Sequence, residues 1–112
     1  MKTIKRILFL VAVALGLASC GSNHVDVAEV FITNLNTGNY DKAKECCTET
    51  AKQFVDMAIS FKHKPVENWE TKIVKDSVSG DSAWVWFLNE KGREEKLDLT
   101  KVDGEWLVDV RK

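Results

Sequence analysis

The sequence predicts one α+β domain in which helices come first and a small antiparallel sheet follows. Between Val25 and Phe61, apolar residues recur every three or four positions, which is typical of helices with one buried face. Beyond Pro65, the only proline, apolar and polar residues alternate, as they do in half-buried strands. The connections between the later runs are too short for crossovers, so consecutive strands should pair antiparallel. Helices followed by such a meander indicate an α+β arrangement with the helices on one sheet face.

Three helices are predicted before Pro65. The first begins at Val25 and ends before Gly38, a residue typical of helix C-termini. The second runs from about Tyr40 to Cys47, and Thr48 can cap the third. The apolar residues of the third helix are Ala51, Phe54, Val55, Met57, Ala58, Ile59 and Phe61. They occupy most of its sides, which predicts that this helix is largely surrounded by protein.

Four strands are predicted after Pro65, separated by turn sequences. They are expected at Trp69–Ser77, Ala83–Asn89, Glu94–Lys101 and Trp106–Arg111. A two-residue turn at Asp103 and Gly104 pairs Val102 with Glu105. The same register places Leu99 beside Val108, so these residues should face the core.

The turn at Asn89–Gly92 decides on which face Trp84 and Trp86 lie. A type I turn with a following glycine bulge puts both on the outer face, together with Leu107, and this is the turn that we favour. A two-residue turn at Lys91-Gly92 would put them inside, because a one-residue slip exchanges the two faces. An outer tryptophan pair would indicate a binding or dimer face. The alternative is that the tryptophans simply fill the core of a small domain.

The first residues have the pattern of a secretory signal. Met1–Arg6 carries three basic residues and no acid, and Ile7–Leu17 is a run of 11 apolar or glycine residues. A membrane-spanning helix needs about 20 such residues, so this run is too short. The combination predicts a signal peptide.

The four residues Leu17-Ala18-Ser19-Cys20 resemble the lipobox of bacterial lipoproteins. The resemblance implies removal of residues 1–19, a diacylglyceryl group on the Cys20 thiol, and acyl chains such as palmitate that anchor the protein to a membrane. Residues 20–24 would then be a lipidated tether. The expected location is the envelope of a Gram-negative bacterium, facing the periplasm. The alternative is an ordinary signal peptide with a chance cysteine.

Charge argues against a nucleic-acid partner. The chain has 16 basic and 17 acidic residues, and without the three basic residues of the signal peptide the formal charge becomes −4. No basic patch stands out, so no nucleic acid is expected to bind.

Cys46 and Cys47 are adjacent, which disfavours a bond between them because disulfides need Cα atoms about 5.5 Å apart and suitable Cβ directions. We expect both to be reduced, with at least one buried as a small apolar side chain. A redox role is the alternative.

Four stretches carry a family resemblance: Ala28–Phe31 with Leu35, Gly38–Ala43, Asp81–Val85 and Val102–Asp109. They resemble the nuclear-transport-factor-2-like (NTF2-like, or cystatin-like cone) fold, and the match covers nearly all of residues 25–112. Together the stretches resemble its branch of small Gram-negative lipoproteins, whose domains are classed as of unknown function. The family implies a bent sheet wrapped round helices into a cone, often with a pocket and often dimeric.

No residue set in the sequence points to catalysis. Tyr40 is expected to pack, His63 to lie in an exposed loop, His24 in the tether, and Asp109 to point away from the core. The spacing of Cys and His residues predicts no metal site, and no cofactor motif is present. The sequence therefore favours a non-catalytic domain that binds a partner protein, a second copy or a small ligand. A pocket enzyme of isomerase or hydrolase type and a purely structural envelope factor are the alternatives.

Overall fold

Three helices and one four-stranded antiparallel sheet form the part of the chain that the structure describes, residues 20–110 of a computed structural model. The helices are α1 (His24–Asn36), α2 (Tyr40–Glu45) and α3 (Glu49–Ser60). The strands are β1 (Ile73–Ser79), β2 (Ser82–Leu88), β3 (Glu94–Val102) and β4 (Glu105–Asp109). The predicted α+β class and order of elements are confirmed. The predicted signal peptide lies outside the described residues.

Several boundaries differ from the prediction by a few residues. Helix α1 begins at His24, so this histidine belongs to a helix and not to a tether. Helix α2 ends at Glu45, before the cysteine pair. Strand β1 begins at Ile73 and not at Trp69, which precedes it in a loop. Element ends are the least certain part of any pattern-based prediction, because the apolar period continues into the flanking turns.

Side-chain caps start the two longer helices. The Asn23 side chain accepts a hydrogen bond from the Asp26 N–H at 2.8 Å. The Thr48 hydroxyl accepts from the Ala51 N–H at 3.2 Å, as the sequence predicted. Each cap satisfies a backbone donor that the helix leaves unpaired, an effect worth about 1 kcal/mol.

The sheet is a simple meander in the order β1-β2-β3-β4. The bulged turn is confirmed: the Asn89 N–H donates to the Arg93 carbonyl oxygen at 2.8 Å, and Gly92 has a φ of 75°. Consequently Val85 lies opposite Leu97 in the register. The β3–β4 turn also has the predicted register, with Val102 opposite Glu105.

The core lies between the helices and one face of the sheet, called here the inner face. The buried residues are Cys20, Val27, Ala28, Phe31, Ile32, Ala43, Cys46, Cys47, Ala51, Val55, Ala83, Val85, Phe87, Leu99 and Val108. In β2 buried and half-buried residues alternate, so Trp84 and Trp86 lie on the opposite, outer face. The prediction that Val85 lies inside and the tryptophans outside is therefore confirmed.

The connection between α2 and α3 runs along the edge of β4. The Val108 N–H donates to the Cys46 carbonyl oxygen at 2.7 Å, and the Thr48 N–H donates to the Val108 carbonyl oxygen at 2.9 Å. The Thr48 hydroxyl also donates to Asp109 Oδ1 at 2.8 Å. This short parallel pairing covers an edge that would otherwise be open to another strand.

Helix α3 is not largely surrounded by protein, so that prediction is wrong. Ala51 and Val55 are buried, but Phe54, Met57, Ile59 and Phe61 are all exposed. The physical reason is the size of the domain. Helix α3 contacts its neighbours along one side, and no further layer of structure covers the rest within the described residues.

Cys46 is not reduced, so the prediction for this residue is also wrong. It forms a disulfide with Cys20, from which it is separated by 26 positions, and the two Cα atoms lie 5.5 Å apart. The path of α1 and α2 returns the chain to its starting point and brings the two residues together. Cys47 is free and buried, as expected.

Candidate functional site

A groove of about 380 Å³ opens between α1, α3 and the inner face of the sheet. Its apolar lining consists of Phe31, Leu35, Ala51, Phe54, Val55, Ala58, Phe87, Leu97, Val108 and Val110. Small-molecule sites in proteins usually measure about 300–1,000 Å³ and are mostly apolar. The groove therefore has the size and surface of a site for a small apolar or amphipathic molecule.

Small residues on α3 make the room for this groove. Ala51 and Ala58 lie seven positions apart, on the same side of the helix, and both face the groove. Across from them, Phe31 and Leu35 project from successive turns of α1. Larger side chains at the alanine positions would fill the space between the two helices and the sheet.

The charged lining residues Glu95, Lys96, Asp98 and Asp109 all come from β3 and β4. In the register Glu95 lies opposite Phe87 and shares the inner face, whereas Lys96 and Asp98 lie opposite Trp86 and Trp84 and share the outer face. Asp109, opposite Asp98, also lies on the outer face. Glu95 is therefore the charged residue on the groove's side of the sheet, and an apolar floor with a carboxylate beside it suits a molecule that has an apolar body and a polar end.

The one described cysteine outside the disulfide is a poor nucleophile. Burial raises the pKa of the Cys47 thiol to about 12, an effect that the positive charge of Lys52 only partly offsets. The thiol therefore stays protonated at neutral pH, whereas thiol chemistry requires the thiolate.

The two histidines and the tyrosine make structural contacts away from the groove. Tyr40 Oη lies 2.9 Å from His63 Nδ1 and donates to the His63 carbonyl oxygen at 3.1 Å, so it holds the segment after α3 against α2. His63 is consequently half-buried and not an exposed loop residue. His24 Nε2 lies 2.7 Å from Asp76 Oδ2 and its ring packs edge-on against Trp106. Among residues 20–110, no group of three or more His, Cys, Asp or Glu side chains is placed to hold a metal.

The predicted tryptophan face exists on the outer side of the sheet. Trp84 and Trp86 are both half-buried there. Lys75 places its ammonium group 4.9 Å from the centroid of the Trp86 ring, a cation–π contact. Leu107 lies on the same face but two strands away, opposite Thr100. The structure thus confirms the placement of the three residues, and their binding role stays a prediction.

Cys20 is buried, and its sulfur is bonded to that of Cys46. A diacylglyceryl group would occupy the same sulfur through a thioether. The lipidated protein and the disulfide-bonded protein are therefore two different chemical forms, and the structure describes the second. In residues 20–110 no helix has both the length and the apolar character needed to cross a membrane.

The family resemblance implied that a pocket is common in this fold, but the spacing of the residues did not locate the groove or the exposed side of α3. The spacing of apolar residues shows that they share a side of the helix, but it does not show whether another element covers them. The sequence did contain one signal for the groove. Two alanines, Ala51 and Ala58, stand among the larger apolar residues of α3, which include Phe54, Val55 and Phe61. Small residues at such positions allow either close helix packing or a cavity, and only the packing distinguishes the two.

The chain has an NTF2-like fold, as the resemblance implied. It is similar to the crystal structure of an NTF2-like protein from Campylobacter jejuni, provisionally named a transpeptidase, with a TM-score of 0.58 and 20% identity. The similarity covers 80% of this chain and 100% of that one. No protein-family model and no curated protein matches the sequence. At this level of identity the likeness establishes the fold and does not extend to activity.

Proposed function

We propose that this protein is a lipid-anchored envelope protein whose NTF2-like domain binds an amphipathic small molecule in its groove without transforming it. The observation that carries the proposal is the groove itself, about 380 Å³ with an apolar floor and with Glu95 on the same sheet face. Removal of apolar area from water favours binding by roughly 25 cal/mol per Å². Glu95 orients the polar end of the ligand.

The anchoring part of the proposal rests on the first 20 residues. A basic start, a short apolar run and Leu17-Ala18-Ser19-Cys20 together support export, cleavage before Cys20 and lipid attachment. Several acyl chains on one residue hold a protein stably on a membrane, whereas a single chain binds only marginally. The domain would then face the periplasm from the membrane surface.

The outer face supplies a second candidate interaction. Trp84 and Trp86 are large aromatic residues on a sheet face that the helices leave open. Aromatic residues are enriched at protein interfaces. This face is therefore the proposed contact with a second copy or with another envelope protein.

Binding of a fluorescent probe with an apolar body and an amine end tests the groove, because the amine can pair with the Glu95 carboxylate. The protein that begins at Cys20 retains all core residues, because those described lie between Cys20 and Val108. Ala58→Phe adds a ring to the groove, and we expect the affinity for the probe to fall at least tenfold. The matched control is Gln53→Phe, which adds the same ring to an exposed position of α3 outside the groove lining.

Two results would contradict the proposal. One is that the unmodified protein does not bind the probe, and the other is that Ala58→Phe binds it as tightly as the control. Mass spectrometry of the probe after long incubation separates binding from catalysis. An altered probe mass would favour the pocket-enzyme alternative.

A further inference from the structure

One side of α3 carries an exposed apolar stripe, defined as Phe54, Met57 and Phe61. Their side chains are 54%, 51% and 79% exposed, respectively. The spacing of three and four positions places all three on the same side of the helix. Phe54 also lines the groove, so the stripe continues outward from the groove. Contiguous exposed apolar surface of this kind usually marks an interaction site.

The stripe has no charged neighbours on the helix. At about 100° per residue, the adjacent positions on its outer border are Gln53 and Ser60, both polar and uncharged. The charged residues of α3 lie on the far side, where they form ion pairs. Lys52 pairs with Glu49 at 3.1 Å, and Asp56 pairs with Lys44 at 2.9 Å. This separation of apolar and charged sides is typical of helices that lie in a membrane interface.

The end of the stripe is positively charged. Lys62 follows Phe61 directly, Lys64 lies two residues further along, and both are exposed. Residues 57–66 contain these two lysines and no acidic residue. The hydrogen bonds of His63 to Tyr40 fix this segment beside the end of α3. Exposed lysines beside an apolar stripe complement the negative surface of anionic phospholipids.

We infer that α3 docks on the surface of an anionic phospholipid bilayer. The side chains of Phe54, Met57 and Phe61 enter the boundary between headgroups and acyl chains, and Lys62 and Lys64 contact the headgroup phosphates. The groove then opens beside the bilayer, which is a source of amphipathic ligands. The inference rests on the proposed function for the anchor that brings α3 to the membrane.

Vesicle sedimentation tests the apolar contact, with unlipidated protein that begins at Cys20. We expect it to bind vesicles of phosphatidylcholine with phosphatidylglycerol. The double variant Met57→Ser/Phe61→Ser should reduce the partition coefficient at least tenfold, because the serines lack the favourable free energy of moving an apolar side chain out of water. The matched control is Val78→Ser/Val102→Ser, which removes two apolar side chains that are 51% and 43% exposed elsewhere. It should bind like the unmodified protein.

The charge contribution is tested with a second pair of variants. Lys62→Gln/Lys64→Gln should remove most of the preference for phosphatidylglycerol over pure phosphatidylcholine vesicles, and added salt should have the same effect. The control Lys72→Gln/Lys91→Gln removes the same charge from two exposed positions outside the stripe and its basic end. It should keep the preference.

Three outcomes would overturn the inference. They are no vesicle binding by the unmodified protein, equal binding by the stripe variant and its control, or a dimer without vesicle affinity that the stripe variant converts to a monomer. The last would show that a second copy covers the stripe. Because the protein tested carries no lipid, these outcomes are independent of fatty-acid labelling at Cys20 and of probe binding in the groove.

Discussion

Replacing Cys20 with alanine removes the cross-link that closes a loop with Cys46, 26 positions along the chain. In the chain-entropy description, closing a loop of this length lowers the entropy of the unfolded state by about 12 cal/mol/K. At 25 °C this corresponds to about 3.5 kcal/mol of stability. For a domain of this size each kcal/mol changes the Tm by roughly 4–8 °C, so the expected loss is on the order of 15–25 °C.

The assay is thermal melting of the unlipidated protein with and without reductant. The Tm of Cys20→Ala should lie far below that of the oxidised unmodified protein. Reductant should lower the Tm of the unmodified protein and leave that of Cys20→Ala unchanged. Cys46→Ala should resemble Cys20→Ala, and the double variant should cost little more, because either change alone opens the loop. The control is Cys47→Ala, which keeps the disulfide. Reductant should lower the Tm of this variant by nearly as much as it lowers that of the unmodified protein.

The reasoning is refuted if the oxidised protein and Cys20→Ala melt within a few degrees of each other. It is also refuted if three thiols can be alkylated after unfolding without reductant. Protein extracted from membranes provides the complementary test. If Cys20 carries lipid, its sulfur cannot also form the disulfide with Cys46. The Cys46 thiol should then react with an alkylating reagent after unfolding without reductant.

The remaining predictions concern the free thiol, the sheet and the anchor. Burial raises the pKa of Cys47 to about 12, so the folded state holds the thiol proton more tightly than the unfolded state does. As pH rises from about 9 towards 12, the free energy of unfolding should therefore fall by up to about 1.4 kcal/mol per pH unit relative to Cys47→Ala. If the free energies of unfolding of the two proteins change in parallel with pH, this prediction is wrong. Val85→Ala should cost about 2 kcal/mol. Trp84→Ala and Trp86→Ala should instead weaken self-association in sedimentation while the monomer stays folded. If the unmodified protein is a monomer and both variants unfold, the proposed interaction face is wrong. Cys20→Ser should abolish fatty-acid labelling and membrane sedimentation in cells, and persistent attachment would refute the lipoprotein proposal.

Local chemistry was sufficient wherever an element depends on neighbours in the chain. The Asn89–Gly92 turn set the β2–β3 register, and with it the faces of Trp84 and Val85, because a hairpin turn fixes the pairing of its own strands. The Thr48 cap is equally local, since its hydroxyl bonds the backbone three residues ahead. The change from helical to alternating apolar spacing likewise predicted the fold class.

The tertiary structure decided everything that depends on residues far apart in sequence. Cys46 pairs with Cys20 and not with its neighbour because α1 and α2 bring the two Cα atoms to bonding distance, which no spacing rule reveals. Phe54 and Phe61 show the same limit. Their period assigns them to one side of α3, but whether that side is buried depends on which other element reaches it. The groove arises in the same way, since a cavity is the space that several elements together leave unfilled.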